Sequence, residues 1–154
     1  MKASQTCALA LAGAALLAAA SPSDSTASDR DLRIELSGRY DGRGRLSLGG
    51  ESIYGDAYII MPRRVGAITG RIDPGGIGQS IKGRVNRIRC RRNVIVYFGK
   101  LRIQKGPISV TGKFRAKARR RAGANTLSLP IYLKRDVLID TIHVTGRFKG
   151  KQLQ

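Results

Sequence analysis

Apolar and polar side chains alternate one for one along most of this chain after residue 30. That period of two confines the chain to extended strands with one face in a core and the other in solvent. Leu32, Ile34, Leu36, Gly38 and Tyr40 share one parity, while Arg33, Glu35, Ser37 and Arg39 share the other. Ile108, Val110, Gly112, Phe114 and Ala116 alternate with Ser109, Thr111, Lys113, Arg115 and Lys117. Leu127, Leu129, Ile131 and Leu133 repeat the pattern, and Ile142, Val144, Gly146 and Phe148 close it against Thr141, His143, Thr145, Arg147 and Lys149. No window after residue 28 sustains a helical period.

Turn chemistry divides these runs. Asp41-Gly42, Asp73-Pro74-Gly75-Gly76 and Gly106-Pro107 read as turns, with Ala122-Gly123-Ala124-Asn125 and Lys134-Arg135-Asp136 as further candidates. The result is eight or nine strands, at about 31–40, 44–48, 52–61, 65–72, 79–91, 93–104, 107–118, 126–134 and 137–149. The expected fold is all-β: a small antiparallel up-and-down β-barrel, or a strongly curled sheet. In two places the polar parity slips by one. Lys82, Arg84 and Asn86 give way to Arg87, Arg89 and Arg91, and a second slip falls at Asp140-Thr141. One extra residue in a strand, a β-bulge, produces that signature and bends the sheet toward closure.

A pentapeptide of the form apolar, polar, Gly, basic, apolar recurs at 36–40, 68–72, 81–85, 110–114 and 144–148. Its spacing is irregular, which excludes a solenoid. Gly38, Gly70, Gly83, Gly112 and Gly146 all fall on the apolar parity, where a missing side chain relieves crowding inside a narrow barrel. No helix pattern follows them, so they do not read as phosphate-cradling loops. Arg39, Arg71, Arg84, Lys113 and Arg147 then face outward.

The N-terminus reads as an address. Lys2 precedes an Ala, Leu and Gly run from Ala8 to Ala20, and both Ala18-Ala19-Ala20 and Ser25-Thr26-Ala27 fit a small-x-small cleavage site. The run is shorter than the roughly 20 residues a bilayer requires, so no transmembrane segment is expected. Cys7 precedes the apolar run, whereas a lipid-anchoring cysteine would follow it. Residues 1–27 are thus expected to be a signal peptide with its polar cleavage region, and 28–154 a single basic β-domain that is secreted or periplasmic. Cleavage would remove one base, Lys2, and one acid, Asp24, leaving the net charge of +19 unchanged. The remaining cysteine, Cys90, has no disulfide partner and falls on an apolar parity.

Charge is what the fold leaves unexplained. Between Pro74 and Arg135 there are seventeen Lys and Arg residues and no acid. Mixed charge would keep a sheet soluble and its edges unpaired; a one-signed field instead points to a polyanionic partner. The candidate polyanion-binding residues are Lys82, Arg84, Arg87, Arg89, Arg91, Lys100, Arg102, Lys113, Arg115 and Lys117, followed by the run Arg119, Arg120 and Arg121. An export signal favours lipopolysaccharide or an acidic envelope glycan over nucleic acid, with an anionic membrane surface as a further candidate partner. Base stacking would require exposed aromatics near the basic strands, for which Tyr97 and Tyr132 are the candidates. No helix offers itself to a major groove.

Catalytic signals are sparse. The single histidine, His143, lacks a nucleophile-elbow motif, and no spacing among Glu35, Glu51, Asp56 and Asp73 selects an acid-base pair. The chain therefore reads as a non-enzyme without metal or cofactor. Two alternatives stand beside polyanion binding: an assembly subunit of a cell-envelope or surface complex, whose basic strands meet an acidic protein, and a carrier of a small apolar ligand inside the barrel.

Overall fold

A computed structural model describes residues 22–48, 50–73, 78–105, 107–137 and 140–152. Most of the expected signal peptide, Cys7, the Pro74-Gly75-Gly76 part of one expected turn and Gly106 lie outside them. One helix, α1 (Pro22–Glu35), precedes eight strands: β1 (Gly38–Leu48), β2 (Glu51–Met61), β3 (Gly66–Asp73), β4 (Gln79–Arg91), β5 (Val94–Lys105), β6 (Ile108–Arg119), β7 (Thr126–Val137) and β8 (Asp140–Gln152). Each strand pairs antiparallel with the next, and β1 pairs with β8, so the meander is a closed barrel. Closure leaves no sheet edge running the length of the molecule.

Alternation builds the interior. Ile59, Ile68, Ile72, Ile81, Leu101, Val110, Leu129, Leu133 and Phe148 are buried in one continuous core, while the intervening residues face solvent. The slip after Asn86 is a bulge: Val85 lies opposite Gly99 and Arg87 opposite Phe98, so Asn86 is the extra residue. Asn86 and Arg87 both face outward, after which Ile88 and Cys90 turn toward the core. The interior glycines sit where strands approach closely. A Cβ on Gly83 would lie 2.5 Å from the Lys100 carbonyl oxygen and 2.8 Å from Leu101 Cδ2.

Four boundaries differ from the sequence expectation. The strand expected at 31–40 is instead the end of α1, because Leu32 and Leu36 are four apart and share a helix face as readily as a strand face. Both are buried, whereas Ile34 between them is 45% exposed. Gly38, with φ of 107°, turns the chain from helix into β1, so it lies at a joint rather than inside the barrel. Asp41-Gly42 is not a turn but the middle of β1; Gly42 is there because a Cβ would run into the Lys149 carbonyl oxygen on β8. The expected strand 44–48 therefore belongs to β1, and the strands number eight. Lys134-Arg135-Asp136 is likewise no turn, since β7 runs on to Val137. β8 begins at Asp140 opposite Val137 and its register is unbroken, so the slip at Asp140-Thr141 marks a change of strand and not a bulge.

α1 seats against the end of the barrel where β1 starts and β8 finishes. The Leu36 carbonyl accepts hydrogen bonds from the hydroxyls of Tyr40 on β1 (2.8 Å) and Tyr97 on β5 (3.1 Å). Burial pushes both phenols well above their ordinary value of 10.0, with the Glu35 charge adding to the effect on Tyr40. Gln152 Nε2 donates to the Ser37 carbonyl at 2.6 Å, joining the helix exit to the last strand. Cys90 is half-buried at the same end, its sulfur 3.4 Å from Arg33 Nε.

Candidate polyanion-binding surface

β4, β5 and β6 are consecutive in the chain and adjacent in the barrel, so their outward residues form rows across three strands. Arg84, Lys100 and Lys113 lie directly opposite one another in one row, and Lys82 lies opposite Arg102 in the next. Like charges facing each other across a ladder destabilise a sheet, and no carboxylate interrupts these strands. All of the expected residues Lys82, Arg84, Arg87, Arg89, Arg91, Lys100, Arg102, Lys113, Arg115, Lys117, Arg119, Arg120 and Arg121 are exposed.

The bulge decides what the arginines of β4 meet. After it, Arg87 faces Phe98, Arg89 faces Val96 and Arg91 faces Val94. Phe98 in turn faces Arg115, Val96 faces Lys117 and Val94 faces Arg119. The outward side of β5 is thus an apolar spine between two cationic flanks. The guanidinium carbons of Arg87, Arg89 and Arg115 lie 4.6, 5.7 and 5.7 Å from the centre of the Phe98 ring. Such cation–π contacts hold the flat groups over the ring face and help offset their repulsion. Phe98, not Tyr97, is therefore the aromatic among these cations. Tyr97 points inward and is fully buried, against the expectation from sequence. Tyr132 is 63% exposed but stands on β7 beside His143, at 6.3 Å between ring centres.

The Arg119–Arg121 segment is pinned rather than loose. Arg120 N donates to the Asn93 carbonyl at 2.9 Å, and Arg121 N to Asn125 Oδ1 at 3.4 Å. Asn125 is buried, and its Nδ2 donates to Gln152 Oε1 at 3.1 Å. The Arg120 side chain is neutralised by Glu35, to which its Nε donates at 2.7 Å. Arg119 and Arg121 remain pointed at solvent.

Beyond β6 the cations continue onto strands that the acid-free stretch does not include. Lys117 lies opposite Ser128 on β7, Ser128 opposite Lys149 on β8, and Lys149 opposite Arg43 on β1. Two residues along, Arg119 lies opposite Thr126 and Thr126 opposite Lys151. Arg43, Lys117, Arg119, Arg121, Lys149 and Lys151 line a groove of about 800 Å³ on the outside of the barrel. Asp41 also lies along it, but its carboxylate is held by Arg39, whose Nε reaches both oxygens at 2.9 Å. The row ends at β2, where Arg43 meets Asp56 and Asp56 meets Asp73 on β3.

Sequence reasoning did not select Arg43, Lys149 and Lys151. Lys149 had a readable outward parity, but Arg43 fell in an expected turn and Lys151 past the last expected strand, and the company of all three depends on β1 meeting β8. No family model matches this chain, and neither does any curated protein or solved structure.

Proposed function

We propose that this protein is an exported β-barrel that binds a polyanion of the cell envelope, a lipopolysaccharide or acidic glycan before a nucleic acid, through its outward cations. The observation that carries this reading is the row Arg84, Lys100, Lys113: three like charges directly opposed across three strands, in a stretch without a single acid. A sheet gains nothing in stability from that arrangement. A polymeric anion laid across it would relieve the repulsion and release its own counterions. Phosphate, sulfate or carboxylate groups satisfy such a surface equally, so recognition is by charge density and not by sequence.

The test is a titration of the protein with heparin and with lipopolysaccharide over a series of salt concentrations. Log affinity should fall linearly and steeply with log salt, as counterion release requires. A flat response removes the mechanism. A stoichiometric complex with an acidic protein that survives high salt would move the function to envelope assembly instead.

A further inference from the structure

We infer that the polyanion is a flexible single chain that wraps the barrel, held at its far side by Arg43, Lys149 and Lys151. This rests on the polyanion-binding reading above and adds to it the shape of the ligand and three contact residues.

The argument is one of curvature. The cationic row starts on β4 at Arg89, passes through Lys117 on β6 and Lys149 on β8, and reaches Arg43 on β1. That path takes five of the eight strand-to-strand steps around a closed barrel, more than half of its circumference. A planar anionic surface such as a bilayer touches a cylinder along one side only. A DNA duplex, with a persistence length of about 50 nm, is a straight rod on this scale and does the same. Only a chain that bends within a few monomers can contact Arg89 and Arg43 together. With strands about 4.8 Å apart, the path is about 24 Å long at the sheet and longer at the side-chain tips.

Two features of the path fit an extended strand. Cations fall on alternate strands, β4, β6 and β8, with the small polar Ser128 and Thr126 between those of β6 and β8, so a polymer can lie close to the sheet there. The pinned loop places Arg119 and Arg121 beside the groove, while Arg120 turns away to Glu35. The path also has a defined end at Asp56 on β2, opposite Arg43, whose charge would repel a chain that continued; Asp73 beyond it is paired with Arg71 at 3.5 Å.

The experiment uses the full-length protein and two triple variants that remove equal charge: Arg43→Ser with Lys149→Ser and Lys151→Ser on the far side, and Arg87→Ser with Arg89→Ser and Arg91→Ser at the β4 start of the path on the near side. The probes are inorganic polyphosphate and heparin oligosaccharides, each in fractions shorter and longer than about 24 Å. For long chains both variants should bind about tenfold more weakly than wild type; for short chains only the near-side variant should. The far-side variant should also show a shallower salt dependence with long chains, since fewer counterions are released.

A far-side variant that binds long chains like wild type, while the near-side variant is impaired, overturns the wrapping and leaves polyanion binding standing. Equal losses for short and long chains would mean that net charge alone matters, which also overturns it. Wild type that binds neither probe in a salt-dependent way removes the underlying function itself. Should a triple variant unfold, Lys149→Ser and Arg89→Ser as single substitutions make the same comparison.

Discussion

The guanidinium of Arg87 lies face-on to Phe98, its central carbon 4.6 Å from the ring centre, because the bulge at Asn86 sets these two residues opposite each other. Without the extra residue, every later position of β4 would change face. Arg87, Arg89 and Arg91 would then point into the core and Ile88 and Cys90 into water. One inserted residue thus gives β4 its outward arginines, and the Phe98 ring gives three guanidinium groups a common platform.

Phe98→Leu should leave the barrel folded and the net charge unchanged, yet weaken heparin binding about fivefold, equivalent to about 1 kcal/mol of lost cation–π positioning. The salt slope should stay the same, because the number of cations is the same. Isothermal titration at several salt concentrations reads both quantities. An unchanged affinity would mean that the arginines are placed without the ring.

Gly83→Ala should destabilise the barrel by about 2–3 kcal/mol, since its Cβ would press on the Lys100 carbonyl oxygen and Leu101 with no room to yield. Gly123→Ala should cost about 1 kcal/mol through its backbone alone. Its φ is 89° but its surroundings are open. Urea unfolding of the two variants separates steric from conformational cost.

Tyr40 and Tyr97 donate to the same carbonyl of Leu36, so their removal should be non-additive. Tyr40→Phe or Tyr97→Phe leaves that oxygen one partner and should cost about 1 kcal/mol each. The double variant strands a buried acceptor and should lose about 1 kcal/mol more than the sum. A double-mutant cycle on unfolding free energy measures the coupling.

The same phenols predict alkaline sensitivity. Their pKa values are raised in the folded protein above the ordinary 10.0, chiefly by burial. The unfolded chain therefore releases these protons first as pH rises. Their contribution is complete below pH 10.0 and is lost progressively above it. Unfolding midpoints followed from neutral pH to about pH 11 should fall, and fall less in the double Tyr→Phe variant.

Most of the strands could be read from the sequence because burial on one face of a pleated sheet imposes a period of two. The bulge was readable for the same reason, as a slip in that period. Errors arose where a second rule gave the same pattern. Leu32 and Leu36 satisfy both a strand and a helix spacing, and only the exposure of Ile34 separates the two. Asp41-Gly42 has turn chemistry, but Gly42 answers to the neighbouring β8 backbone, a contact that no local window contains. The inward direction of Tyr97 followed from its parity with Leu101 and Ile103, which would have moved attention to Phe98. Arg43, Lys149 and Lys151 became part of a surface only through closure, which joins residues about a hundred positions apart.

That closure sets a condition on how the molecule comes into being. The seam between β1 and β8 pairs Tyr40 with Gln152 and Leu48 with Val144, so the opening strand waits for the closing one. Gln152 also holds the helix exit, through the Ser37 carbonyl. Until β8 has been synthesised and delivered, the sheet is an unfinished ribbon with two raw margins, each ready to pair with a stranger. Closure is therefore a single event that depends on β8, and each nascent copy stays open to its neighbours until its own β8 arrives.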